Sequence, residues 1–325
     1  MIPKVVRSVS QLLTDVRTRS PQDLSSALEE YLSRKVDIAH VDQRLPKSLL
    51  GAGAPVGFRN RLHQASEKDR ASHNLQFARL LYSHSLSEHP VLSENKSTGP
   101  IACMLEPKDV RRVAVVGCGW GTGLQQLAEA GPQDFTGFTD QLSQTQLRLQ
   151  LLDDAGLLHR ARVVHAKTMV LTRADTFDAV YCPRVEFARN GGLVQLEKLV
   201  ERLPAGGQLL ACWFNCDGGW SRRTRLWRQV VTTLAPRDWG QSMSFSRLRS
   251  RARALDCWLD DVGDATPSMS TLFDAQLARW QCHEQEVCAL VGEREFRTQL
   301  LLRAFALWAA RERRLRYRWA LLRRR

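Results

Sequence analysis

Val113-Ala114-Val115-Val116-Gly117-Cys118-Gly119-Trp120-Gly121-Thr122-Gly123 decides the fold. Four apolar residues run without a break into alternating glycines, and Leu124 to Ala130 then repeats its apolar positions with helical spacing. The segment reads as strand, glycine turn, helix. A turn of this kind lets backbone amides approach a ligand closely at a helix N-terminus, where the dipole is positive.

Working outward, the pattern repeats. Strands are expected at Phe135–Phe138, around Val163-Val164, at Ala179–Tyr181 and at Gln208–Phe214, with helices at Gln144–Ala155 and Leu193–Leu203. A Pro204-Ala205-Gly206-Gly207 turn precedes the last of these strands. Strands alternating with helices imply an α/β fold, a doubly wound and mostly parallel sheet covered on both faces. Ser270–Val291 and Glu293–Ala310 read as two helices divided by Gly292, and Leu315–Leu322 as a closing strand. Residues 217–260, rich in Arg and Trp, give no clear element. The organisation expected is an N-terminal helical extension at 1–70, a helical segment closing over the ligand at 71–110, the glycine-turn core at 111–216, and a C-terminal part at 217–325 that completes the sheet and the pocket.

Composition is that of a folded chain: 325 residues, 43% hydrophobic and 25% charged, which excludes disorder and collagen. No stretch reaches the roughly 18 apolar residues of a membrane helix. The eight cysteines, at 103, 118, 182, 212, 216, 257, 282 and 288, form no CxxC pair. They suggest neither a zinc site nor a disulfide framework, and favour reduced thiols inside a cell. The first 20 residues hold four basic residues and one acid among several Ser and Thr, so a mitochondrial transit peptide and a plain first helix are both open readings. Otherwise the expected location is cytoplasmic.

Net charge is +13 and unevenly spread: 15 basic and 12 acidic residues in 1–110, 11 and 10 in 111–216, 21 and 12 in 217–325. Arg311 to Arg325 alone contains eight arginines. Such density can bind RNA or an anionic membrane surface, or simply coat exposed faces. In Arg316-Tyr317-Arg318-Trp319, a strand would put the aromatics and the arginines on opposite faces, which argues against an interleaved stacking platform.

The ligand class follows from the details of the turn. GxxxxGK[ST] is absent and GxGxxG is not met, because Gly117, Gly119, Gly121 and Gly123 alternate. Gly-x-Gly-x-Gly after an apolar strand, with an acid about 20 residues on after a second strand, holds the amino-acid and ribose parts of S-adenosylmethionine. Asp140 is that acid, placed to accept from the ribose hydroxyls.

GCGWG at 117–121, Ser143-x-x-Gln146, Val185-Glu186-Phe187 and LPAGG at 203–207 together resemble the cyclopropane-fatty-acid synthase-like methyltransferases. Leu290 to Arg297 and Arg311 to Leu322 resemble that family's last helix and strand, and Tyr82-Ser83 its segment closing over the cofactor. The resemblance covers about residues 73–325. It implies a class I, Rossmann-like methyltransferase fold, S-adenosyl-L-methionine as cofactor, and a small-molecule or lipid-like acceptor. It assigns cofactor contacts to Gly117, Cys118, Gly119, Trp120, Gly121, Asp140, Ser143, Gln146, Tyr82 and Ser83, and catalysis to Glu186. Glu186 can equally cap the following helix or pair with Arg184 or Arg189. Cys118 is expected to pack under the loop, Trp120 to line the pocket wall, and His159 and His165 to be structural.

The departures limit what carries over. Val115 stands where the family has an acid, Lys167 where another acid meets the adenine, Ala188 in place of a histidine, and Cys212 in place of the histidine ending the fifth strand. Cyclopropanation is therefore not expected. The alternatives are a methyltransferase fold that binds RNA through the basic C-terminal third, and a lipid-modifying enzyme held at a membrane by the same surface.

Overall fold

The computed structural model describes residues 100–106, 109–118, 123–139, 142–165, 176–183, 185, 192–216, 245–313 and 315–325. The helical extension expected at 1–70 lies outside them, as does the 71–110 segment up to residue 99. Seven strands form one sheet: β1 (Arg112–Val116), β2 (Asp134–Thr139), β3 (Ala161–His165), β4 (Ala179–Cys182), β5 (Gln208–Cys216), β6 (Cys257–Asp264) and β7 (Leu315–Arg324). Their order is β3-β2-β1-β4-β5-β7-β6. The β1–β5 pairings are parallel, while β7 runs antiparallel to both neighbours. The doubly wound, mostly parallel sheet is thus present, with an inserted antiparallel strand.

Helices α1 (Pro100–Leu105), α2 (Gly123–Ala130), α3 (Leu142–Asp154), α4 (Gly192–Val200) and α5 (Phe245–Ala254) accompany the sheet. Strand side chains alternate between faces. Ala114, Val116, Phe138, Val180, Cys182, Leu209, Ala211, Trp213, Ala320 and Leu322 form one core with Leu196, Leu199, Val200 and Leu203 of α4 and its last turn, and with Leu248 and Ala252 of α5. The intervening residues Val113, Val115 and Tyr181 are equally buried on the other face, where α2 packs over β2. Burial on both faces explains why the sequence of β1 is a continuous apolar run.

The chain divides into two units, one of residues 82–217, 240–272 and 315–325 holding the sheet, the other of residues 1–81, 218–239 and 273–314. In the second, the described part comprises the end of α6 (Thr266–Cys282) with α7 (Glu284–Val291) and α8 (Glu293–Arg311). Trp280 stacks on Phe296 with ring centroids 5.9 Å apart, and the Arg303 guanidinium lies 4.0 Å from the Trp280 ring centre. The single helix expected over Ser270–Val291 is broken. His283 interrupts it, and Glu284 and Glu286 open α7, where negative charge suits the new N-terminus. Gly292, at φ 86°, divides α7 from α8 as the sequence suggests.

The basic C-terminus is woven into the fold. In β7 Tyr317 and Trp319 are buried while Arg316 and Arg318 are half-buried on the opposite face, as strand alternation requires. Arg323 pairs with Asp260 at 2.9 Å, Arg316 with Asp264 at 3.8 Å and Arg325 with Asp256 at 3.6 Å. Asp260 sits at the bulge in β6, between partners of Leu322 and Leu321. Arg324 donates to the Val200, Glu201 and Leu203 carbonyls at the end of α4, the position where a cation complements the helix dipole. Arg311 pairs with Asp274 at 3.2 Å within the helical unit. Among the described residues no helix is long and apolar enough to cross a membrane, and no cluster of metal-ligating side chains occurs.

Candidate functional site

The carboxyl ends of β1 and β2 meet at the glycine turn. Gly117 follows β1 at φ 77°, a left-handed conformation that a side chain would strain. Its amide and that of Cys118 both donate to the Phe138 carbonyl, at 3.0 and 3.1 Å. The turn is thereby moored on β2 before the chain reaches Gly119. Cys118 is buried, as expected of a residue packed under the loop. Burial pushes its thiol pKa up, against the pull of the nearby Arg148 guanidinium, so the group stays a neutral packing element.

Arg148 is the residue that sequence reasoning missed. It lies in α3 at only 2% exposure and donates from Nη2 to the Cys118 carbonyl. Burial lowers its pKa, yet a guanidinium remains a cation at neutral pH. On the same helical face, buried Gln144 accepts from the Thr139 hydroxyl at the end of β2. α3 is therefore tied to both strand ends by polar side chains inside the protein. A signal existed: Gln144 and Arg148 are four residues apart, and Arg148 is flanked by Leu147 and Leu152, which puts both polar groups on the buried stripe.

Of the residues assigned from sequence, Gly117 and Cys118 are brought together with α3 through Arg148. Ser143 lies in the first turn of α3, and Gln146 is on its exposed side, away from the moored turn's buried contacts. Gly119, Trp120, Gly121, Asp140, Tyr82, Ser83, Glu186, Lys167 and Ala188 fall outside the described residues. Val115, in the position of the missing acid, is 2% exposed in apolar surroundings and offers no hydrogen bond to a ligand. Cys212, in the position of the missing histidine, is fully buried opposite Trp319. Tyr181 and Tyr317 share its surroundings, and burial holds both phenols well above their ordinary pKa, with neighbouring thiols adding to the rise. The Tyr317 hydroxyl donates to the Pro183 carbonyl, just beyond β4.

A seven-stranded sheet of this order, with a moored glycine turn after β1, is the class I methyltransferase fold. No protein-family model matches the chain, and no curated protein sequence matches it. Solved structures do. Coclaurine N-methyltransferase, bound to N-methylheliamine and S-adenosylhomocysteine, aligns over 97% of this chain and 98% of its own at 14% identity and a TM-score of 0.63. The mycolic acid cyclopropane synthase CmaA1, complexed with S-adenosylhomocysteine and CTAB, aligns over 76% of this chain and 93% of its own at 18% identity and a TM-score of 0.60. The cyclopropane synthase MmaA2 from Mycobacterium tuberculosis aligns over 77% and 94% at 16% identity and a TM-score of 0.59. Identities this low establish a common fold, the one the sequence motifs resemble.

Proposed function

We propose that the chain is an S-adenosyl-L-methionine-dependent methyltransferase acting on a small-molecule or lipid-like acceptor. The observation that carries this reading is the turn at Gly117 and Cys118, moored on β2 and held from beneath by Arg148, at the carboxyl end of β1 where this fold binds its ligand. The fit is local: a left-handed glycine and a buried cation set under a loop suit a ligand bearing a carboxylate. Asp140 follows β2 directly in the chain and suits the ribose hydroxyls.

When bound, the cofactor supplies an electrophilic methyl group on a sulfonium. The protein's share is orientation, from which about 7–11 kcal/mol of acceleration is available when donor and acceptor are held in line. Glu186 is assigned to the acceptor: a carboxylate there takes the proton of an amine or stabilises a cation. The absence of the histidines at Ala188 and Cys212 supports simple methyl transfer over cyclopropanation. Arg316, Arg323 and Arg325 pair with carboxylates of β6 and the residue before it, and Arg324 with α4, which supports a structural role for these four arginines. The cysteine spacing, with no CxxC pair in a chain of this length, is the ground for a reducing, intracellular compartment.

Isothermal titration with S-adenosylmethionine and S-adenosylhomocysteine tests the reading. Binding that Gly119→Asp abolishes is expected, and no binding at millimolar ligand would overturn the proposal. Glu186→Gln is expected to bind normally and turn over slowly; lost binding would make Glu186 structural.

A further inference from the structure

A parallel sheet has two rims, and the glycine turn occupies only one. At the opposite rim, where β1, β2 and β3 begin, lies a cavity of about 360 Å3. Arg112 is the first residue of β1, Arg160 immediately precedes β3 and Arg162 is its second residue; all three line the cavity, together with His159, Leu158 and Asp134. None of the three guanidinium groups forms an ion pair among the described residues. Arg160 Nη2 is closed off from solvent without an acceptor.

The arginines are presented on anchored backbone. The Arg160 carbonyl accepts from the Phe135 amide at 2.8 Å, and its own amide donates to Leu157 at 2.9 Å. Arg162 donates from Nε to the Thr136 hydroxyl at 2.9 Å, holding its side chain across β2. Asp178 accepts from the Arg111 and Arg112 amides at 3.0 and 2.8 Å, which fixes the start of β1. Three cations carried on anchored backbone around a concave wall with one carboxylate make a positive site, and an unmatched buried donor is costly until an acceptor arrives.

We infer that this cavity binds a phosphate group. Two negative charges and several acceptor oxygens match guanidinium forks presented by the starts of β1 and β3 better than a single carboxylate does. The volume falls in the range of small-molecule sites and exceeds what a bare ion fills. Leu158, 47% exposed on the wall, offers an apolar contact to the carbon part of a phosphate ester. β1 separates this cavity from the glycine turn along its whole length, so the site is independent of the methyl-donor reading.

The test is isothermal titration of the full chain at low ionic strength with inorganic phosphate, glycerol 3-phosphate and glycerol. Both phosphate probes are expected to bind and glycerol to give no heat; tighter binding of the ester assigns the site to an ester, equal binding to free phosphate. Arg112→Gln and Arg160→Gln should each weaken the phosphate probes about tenfold or more, the loss of one charge-assisted contact, with unchanged melting transitions in the absence of probe. If one variant does not fold, the other decides. No heat from either phosphate probe at about 10 mM, or affinities unchanged in the folded variants, would overturn the inference.

Discussion

Gly137 lies in the middle of β2, beneath the glycine turn, and its replacement by alanine tests how tightly that turn is held. A Cβ at this position would stand 2.7 Å from Leu124 Cδ2 and 3.0 Å from Cys118 Sγ. Carbon atoms in contact prefer about 3.5–4.0 Å, so Leu124 must retreat by roughly 1 Å. It has nowhere to go, being 1% exposed in the first turn of α2, and Cys118 is buried as well. Overpacking of this kind costs about 1–3 kcal/mol, against a gain of about 0.4–1 kcal/mol from the stiffer unfolded chain. The expected outcome is a net loss of about 1.3 kcal/mol, within a span of about 0–2.6 kcal/mol, in urea unfolding. Because the displaced groups carry the turn, S-adenosylhomocysteine binding by calorimetry should weaken about tenfold. A double-mutant cycle with Leu124→Val should show favourable coupling of about 1 kcal/mol, since the shorter side chain removes the nearest atom. A Gly137→Ala protein with wild-type stability and wild-type affinity would refute the reasoning.

Two other predictions concern buried polar groups. Arg148→Met leaves the Cys118 carbonyl without its cationic donor and should cost about 1.5–3 kcal/mol in urea unfolding, with a parallel loss of S-adenosylhomocysteine affinity; unchanged affinity would mean that Arg148 supports α3 alone. Stability should also fall as pH rises above about 10, because unfolded tyrosines ionise there while Tyr181 and Tyr317 stay neutral in the fold. The unfolded chain then holds fewer protons, giving a slope of about 1.4 kcal/mol per pH unit for each tyrosine. Tyr317→Phe should remove its share of that slope and cost about 1 kcal/mol at neutral pH through the lost bond to Pro183, both measurable by denaturation at pH 8 to 11.

The strands most plainly legible in the sequence include those buried on both faces. β1, β4 and β5 are apolar runs, and their burial is written into their own residues. β6 was illegible for the opposite reason. Cys257-Trp-Leu-Asp-Asp-Val-Gly-Asp264 carries three acids, and it holds a strand position because β7 supplies hydrogen bonds and arginines from some 60 residues further on. α5 was hidden similarly, since in this arginine-rich decamer the contact with the core is made by Leu248 and Ala252, with Phe245 packed edge-on against Trp213. Charge counted along the chain misled in the same way: the arginine cluster at 311–325 looks like an exposed surface until Asp256, Asp260, Asp264 and Asp274 are placed beside it.

At the candidate site the same distinction separates what glycine spacing can say from what it cannot. Spacing located the turn at Gly117, because a left-handed residue after a strand has few alternatives to glycine. It could not show what holds the turn in place. The sequence shows an acid missing at Val115, which suggests a weakened cofactor site; the structure adds a buried arginine beneath the adjacent carbonyl. The two changes act on different groups. A carboxylate at the end of β1 would face the proposed cofactor, whereas Arg148 holds the Cys118 carbonyl. Loss of the first would lower affinity for the proposed cofactor directly, while the second fixes Cys118 at the start of the turn, and a group held in place beforehand lowers the ordering cost of binding. The chain can therefore depart from the family's acidic pattern and still keep a preformed turn, which is why direct titration of the cofactor decides more than any further comparison of motifs.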